Sequence, residues 1–158
     1  MKCVQCGGQL GPIVHVDMPY DSLPGTLLLG VACRTCSACG DVLYTIPRLA
    51  QLDLTIAEVL VTKPTRLAGP EVRFLRKYLG WSGRDFASRV GASPETVSRW
   101  EHGTFPINET ADKLLRMFFV HEQPVENYDL DQFEAMAKDE GAPVQLRLAA
   151  ERAWHQAA

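Results

Sequence analysis

The chain has 158 residues, 46% of them hydrophobic and 22% charged, with a formal net charge of −3. That length suits one ordinary domain or two small ones, and the composition is that of a globular protein. No apolar run approaches the length of a membrane helix and no export signal is read at the N-terminus, so a membrane or secreted protein is not expected and a cytoplasmic one is.

The first predicted feature is Cys3-Val4-Gln5-Cys6-Gly7, answered about thirty residues later by Cys36-Ser37-Ala38-Cys39-Gly40. Each is a knuckle: two thiols on one turn, followed by a glycine that tolerates positive φ and lets backbone N–H groups approach the sulfurs. Two such knuckles supply four soft ligands, which is what one structural Zn2+ requires, so Cys3, Cys6, Cys36 and Cys39 are the expected metal ligands. Cys33 complicates the choice, because Cys33-Arg34-Thr35-Cys36 has the same spacing. The glycine after Cys39 favours Cys36 with Cys39 and leaves Cys33 as a buried strand thiol, with a redox or ligand-exchange role as the sharper alternative. His15 is a further potential ligand, but four thiols already complete the set.

Between the knuckles, Ile13–Val16 and Thr26–Val31 read as strands separated by a Pro- and Gly-containing loop, and Val42–Thr45 reads as a third. From Arg48 to Val61, apolar residues at Leu49, Leu52, Ile56, Val59 and Leu60 have helical spacing, which Lys63-Pro64 should end. Residues 1–62 are thus expected to form a small zinc-binding α/β module too small to hold together without the metal, with 63–69 as a linker.

A helix over Leu67–Leu79 comes next, turning Val72, Leu75 and Leu79 inward. Ser82 and Asp85 form a capping-box-like pair ahead of Phe86, Ala87 and Val90, and Gly91 ends that helix. Ser93 then caps another, with Pro94 at its first position and Gly103 as a left-handed stop. Val97 and Trp100 lie on one face of it, while Glu95, Ser98, Arg99 and His102 project from the other. A three-residue turn, Gly91-Ala92-Ser93, between two short helices has the helix-turn-helix spacing that lays the second helix into a DNA major groove. The charge distribution agrees: the net charge is −1 over residues 1–64, +3 over 65–121 and −5 over 122–158. For phosphate contact the local sign matters more than the total.

Trp81-Ser82-Gly83-Arg84-Asp85-Phe86-Ala87, followed by Val90 through Gly103 with its Ser98-Arg99-Trp100-Glu101 ending, resembles the Xre (Cro-repressor-type) helix-turn-helix. Two C-x-x-C-G knuckles, a short helix and then such a domain are together similar to the MqsA/YgiT-type zinc-finger/helix-turn-helix family over roughly residues 1–121. The resemblance implies a mainly α fold, with a five-helix C-terminal Xre-type domain over 70–121 beside the small N-terminal module. It also implies a homodimer on a palindromic double-stranded operator with half-sites about 34 Å apart, and in antitoxin members a toxin bound by the zinc module. An Arg76–Glu101 salt bridge follows from the same resemblance, as do base-reading positions at Glu95, Thr96, Ser98 and Arg99. Arg99 suits guanine O6 and N7; Glu95 suits either a cytosine amino group or the positive helix N-terminus. Phosphate contacts are expected from Ser82, Arg84 and Asn108. Gly83 departs from the family, which often carries Gln there.

The helix starting at Asn108 is expected to run to about His121, burying Ala111, Leu114, Leu115 and Phe118 and leaving Met117 and Phe119 for a dimer contact. Residues 122–158 should add a helical extension, with helices over Asp129–Glu140 and Pro143–His155 and a disordered end. The expected function is a dimeric repressor and type II antitoxin; a stand-alone or phage-type regulator, or an adaptor that no longer binds DNA, shares these features. No enzyme is expected, since four thiolates leave no open metal position and no nucleotide loop or nucleophile motif is present.

Overall fold

The computed structural model describes residues 1–122, 136–150 and 153–157. The chain divides into two compact units: Met1–Asp21, Gly25–Leu52 and Gln145–Ala158 form the first, and Ser22–Pro24 with Asp53–Val144 the second.

The first unit is built on a five-stranded mixed sheet of β1 (Val14–Pro19), β2 (Thr26–Thr35), β3 (Val42–Thr45), β4 (Leu146–Ala150) and β5 (Trp154–Gln156). β2 is its spine. β1 runs antiparallel along one edge, while along the other β3 pairs antiparallel with Ala32–Thr35 and β4 pairs parallel with Thr26–Leu29. β5 then closes antiparallel on β4. Midway along β2 the register slips: Val16 faces Val31 but Met18 faces Leu28, so Leu29 and Gly30 together oppose Asp17. Gly30 takes φ +63, and its N–H donates to Asp17 Oδ1 at 2.9 Å. This bulge shifts the inward positions from Thr26 and Leu28 to Val31 and Cys33, so β2 keeps an apolar face to the core despite the extra residue.

The sheet corrects the expectation of a mainly α fold with only a small N-terminal module. The described residues of Pro143–His155 form no helix: they supply β4 and most of β5, which runs to Gln156 near the end expected to be disordered. Leu and Ala favour helices, and Leu146-Arg147-Leu148 alternates over too few residues to overrule that preference locally. What decides the strand is the open edge of β2, where Leu146 N also donates to Gly25 O at 3.1 Å. Trp154 secures the end. Its Nε1 donates to Pro47 O at 2.7 Å, and its backbone N–H and C=O both bond the Gln51 amide. Of the helix expected over Asp129–Glu140, residues 129–135 lie outside the described ones, and Met136–Asp139 is a turn and bend.

The second unit contains most of α1 (Leu49–Thr62), then α2 (Gly69–Tyr78), α3 (Gly83–Val90), α4 (Pro94–Glu101) and α5 (Glu109–Glu122). Ile56, Leu60, Val72, Leu75, Phe86, Val97, Leu115 and Phe119 make its apolar core. Ion pairs are buried with them. Arg116 and Asp112, one turn apart on α5 with side chains wholly out of solvent, are joined at 2.6 Å. Arg116 also donates to the carbonyls of Val61, Lys63 and Thr65 at 3.2, 2.5 and 2.8 Å, and Asp112 accepts from Leu67 N at 2.7 Å. Lys63 pairs with buried Glu71 at 2.8 Å, and Glu71 accepts from the backbone N–H of Ala68 and Val144. Residues 63–69 form a strap clamped by buried charge.

That strap also turns α5. Ala111, Asp112, Leu115, Arg116 and Phe119 face inward, so Phe119 is core, tilted against Tyr78 at 5.4 Å, while Leu114 and Phe118 are half-buried. The buried face differs from the expected one because Asp112 and Arg116 point inward. Met117 does lie on the exposed side. Among the described residues no helix is long and apolar enough to cross a membrane.

Candidate metal centre and nucleic-acid interface

In the first unit, Cys3, Cys6, Cys36 and Cys39 converge, their sulfurs all within 4.8 Å of one another. The two knuckles are copies in hydrogen bonding. Cys3 N donates to Gly8 O and Cys36 N to Asp41 O, each at 2.8 Å; Gly7 N returns to Cys3 O at 2.9 Å and Gly40 N to Cys36 O at 3.0 Å. Gly7 and Gly40 both sit at φ +74, the left-handed turn that each C-x-x-C-G sequence requires.

Across the knuckles Cys3 Sγ lies 3.8 Å from Cys39 Sγ, and Cys6 Sγ 3.5 Å from Cys36 Sγ. Four sulfurs on a tetrahedron with metal–sulfur bonds of about 2.3 Å would be about 3.8 Å apart, so the site fits one metal ion. Cys36 and Cys39 are moved in opposite directions. Hydrogen bonds from the backbone N–H groups of Cys39 and then Ala38 lower Cys36 to about 7. The Asp41 N–H draws Cys39 down, but the Cys6 and Cys36 sulfurs outweigh it and push Cys39 up to about 12. A cation among them relieves that mutual repulsion. Cys33 is buried on β2 between Val14 and Tyr44, and His15 is exposed on β1; neither belongs to the cluster.

Gly8 is a supporting residue that the sequence reading did not single out. A Cβ there would lie 2.8 Å from Ala38 Cβ and 3.2 Å from the sulfurs of Cys6 and Cys36. The second knuckle carries Asp41 at the equivalent place, its Oδ2 3.8 Å from Cys3 Sγ, so only the first knuckle needs the smallest residue. Gly8→Ala should weaken metal binding about 10- to 100-fold, as loss of outer support around a metal does. Competition with a chromophoric chelator measures it, and equal affinity would show that the knuckles can part without cost.

In the second unit, α3 and α4 are joined by Gly91-Ala92-Ser93, with Gly91 at φ +66. Ser82 caps α3 by accepting from Asp85 N, and Asp85 accepts from Ser82 N in return. Ser93 caps α4 through Thr96 N at 3.1 Å. Val97 and Trp100 are buried, with the Trp100 ring edge-on to Phe86 at 6.4 Å. Glu95, Ser98, Arg99 and His102 are exposed on the opposite face.

Arg76 and Glu101 meet in a fork: Nε reaches Oε1 at 2.5 Å and Nη2 reaches Oε2 at 2.9 Å, while Nη1 donates to Trp81 O at 2.6 Å. One guanidinium thereby ties α2, the α2–α3 turn and the end of α4 together. Gly69 brings the start of α2 against that same end, since a Cβ on it would meet Trp100 O at 2.5 Å and Glu101 O at 2.8 Å. Glu101 is thus committed within the fold.

The other expected contact residues occupy distinct situations. Arg84 and Arg99 are exposed, and both help hold the Glu95 carboxyl below its ordinary value, after hydrogen bonds from its own N–H and from Ser93. Glu95 therefore serves the α4 N-terminus in the free protein. Thr96 is half-buried and shares a 3.0 Å hydroxyl hydrogen bond with Ser93. Ser98 is within 3.4 Å of His102 Nδ1, and Asn108 caps α5 by accepting from Ala111 N at 2.8 Å. Ser82 and Asn108 present exposed helix N-termini more than free side chains. Each withdrawn acid takes a base with it, Glu71 with Lys63, Asp112 with Arg116 and Glu101 with Arg76, while Arg73, Lys77, Arg84, Arg89 and Arg99 stay exposed. Compared with known proteins, the chain matches no protein-family model, and no curated protein matches it in sequence.

Proposed function

We propose that this chain is a sequence-specific DNA-binding regulator of transcription, a homodimeric repressor whose four-cysteine site holds one structural Zn2+. The observation that carries the reading is the α3–turn–α4 pair: a capped eight-residue helix whose buried side is Val97 and Trp100 and whose exposed side is Glu95, Ser98 and Arg99, with Arg84 and Arg89 of α3 also exposed. Zinc is favoured by the donor set, since four thiolates in tetrahedral spacing suit a soft, redox-inert dication with no open position. This closed site has a structural role, and no enzymatic activity is proposed. The resemblance to MqsA/YgiT-type proteins supports the more specific form, a cytoplasmic type II antitoxin that binds a toxin through its first unit and represses its own operon. A toxin reading frame beside this one is the corresponding observation.

A gel shift on the duplex upstream of the protein's own reading frame tests the DNA reading. Arg99→Ala should lose about five- to 150-fold in affinity for the specific duplex, the range of one bidentate arginine–guanine pair, and little for random duplex. Equal loss on both would assign Arg99 to phosphate. No salt-sensitive binding to any duplex would sink the DNA-binding reading.

A further inference from the structure

Phe105 follows the recognition helix α4 with 54% of its surface exposed, although nothing in a solvated turn requires a phenyl ring. The turn holds it in one place. Gly103, at φ +71, reverses the chain so that Thr104 N and Phe105 N both donate to Arg99 O, at 3.0 and 3.5 Å. Pro106 then restricts the backbone, and Ile107 is buried, pinning the far end of the loop. The Arg99 guanidinium consequently lies 6.0 Å from the Phe105 ring centroid, at the outer reach of a cation–π contact. One helical turn earlier stands Glu95, whose carboxylate also attracts Arg99. The guanidinium is thus within reach of two attractions, the Glu95 carboxylate one helical turn back and the Phe105 ring beyond the end of the helix.

We propose that Phe105 is a positioning residue for base recognition, holding the Arg99 guanidinium so that its paired donors meet one guanine instead of turning to Glu95 or a phosphate. This rests on the DNA-binding reading above and adds to it the residue that sets how sharply Arg99 discriminates. The physical advantage is preorganisation. A long arginine side chain loses rotamer freedom on binding, and a guanidinium already biased toward a ring loses less. A ring face does this without offering the competing hydrogen-bond acceptor that a carboxylate would.

The test uses the full-length protein to enrich duplexes from a random-sequence pool, then measures affinity for the enriched site and for the same site with its Arg99-dependent guanine changed. The base pair that Arg99 reads is found first, as the one at which Arg99→Ala loses its preference. Phe105→Ala and Phe105→Leu should reduce preference at that pair about two- to thirtyfold, the worth of a cation–π contact from exposed to desolvated. Phe105→Tyr should keep it, and the salt dependence should be unchanged in all three, since no phosphate contact is removed. In the free protein the Arg99 side-chain NMR resonances should lose a ring-current shift in Phe105→Leu. Unchanged preference in Phe105→Ala, full function in Phe105→Leu, or a shallower salt slope with intact preference would each overturn the assignment. Failure of the wild type to enrich any sequence overturns the DNA reading itself and this inference with it, and is distinguishable from the other failures because it appears before any Phe105 variant is made.

Discussion

Replacing Cys6 by Ser, or stripping the metal with a strong chelator at neutral pH, is expected to unfold both knuckles of the first unit. Cys3, Leu10 and Cys36 form a small buried cluster there, far too little apolar surface to order two tight turns against chain entropy. In small zinc domains the apparent binding free energy, about 10–16 kcal/mol at pH 7, is largely folding free energy. The amides of Cys3, Gly7, Cys36 and Gly40, which close the two turns, report the change. They should exchange slowly in the metal-loaded protein and at coil rates after chelation. The sign with pH follows from the ligands: all four must lose protons to bind, so metal affinity rises with pH and acidification releases the ion. Slow exchange of these amides in metal-free protein would mean that the backbone alone holds the knuckles.

Arg116→Met is expected to cost the second unit about 3–5 kcal/mol, the cost of breaking a buried ion pair from one side. Asp112 would be left buried with the Leu67 N–H but without its cation, and the carbonyls of Val61, Lys63 and Thr65 would each lose a donor. Methionine keeps most of the arginine stem's packing, so the loss reads the charge and hydrogen bonds more than a cavity. Urea unfolding followed by tryptophan fluorescence measures it. Adding Asp112→Leu to Arg116→Met should recover part of the loss, because no unpaired charge then remains buried. A destabilisation below about 1 kcal/mol, the level of an exposed pair, would show that the pair is hydrated and the strap held by other contacts.

Much of the local structure was legible in the residues. The C-x-x-C-G spacing places four thiols and two left-handed glycines. Ser82 with Asp85, Ser93-Pro94, Gly91 and Gly103 mark the ends of α3 and α4, because caps and stops act within one turn of the residues that make them. Val97 and Trp100 divide the inner from the outer face of α4 by spacing alone.

Other features were settled only when distant segments met. Leu146–Ala150 is a strand because it completes an open edge of β2 more than a hundred residues earlier, an energy absent from its own window of sequence. The burial of Arg116 and Asp112 depends on the carbonyls of Val61, Lys63 and Thr65 and on the Leu67 N–H, which only the folded chain brings to them. That burial rotates α5 enough to make Phe119 core. Phe105 reads as an apolar residue in a loop until Gly103 folds it back beside Arg99. Helix ends and metal knuckles are specified by neighbours along the chain, whereas strand pairing and charge burial depend on partners that only the folded chain brings within hydrogen-bond reach.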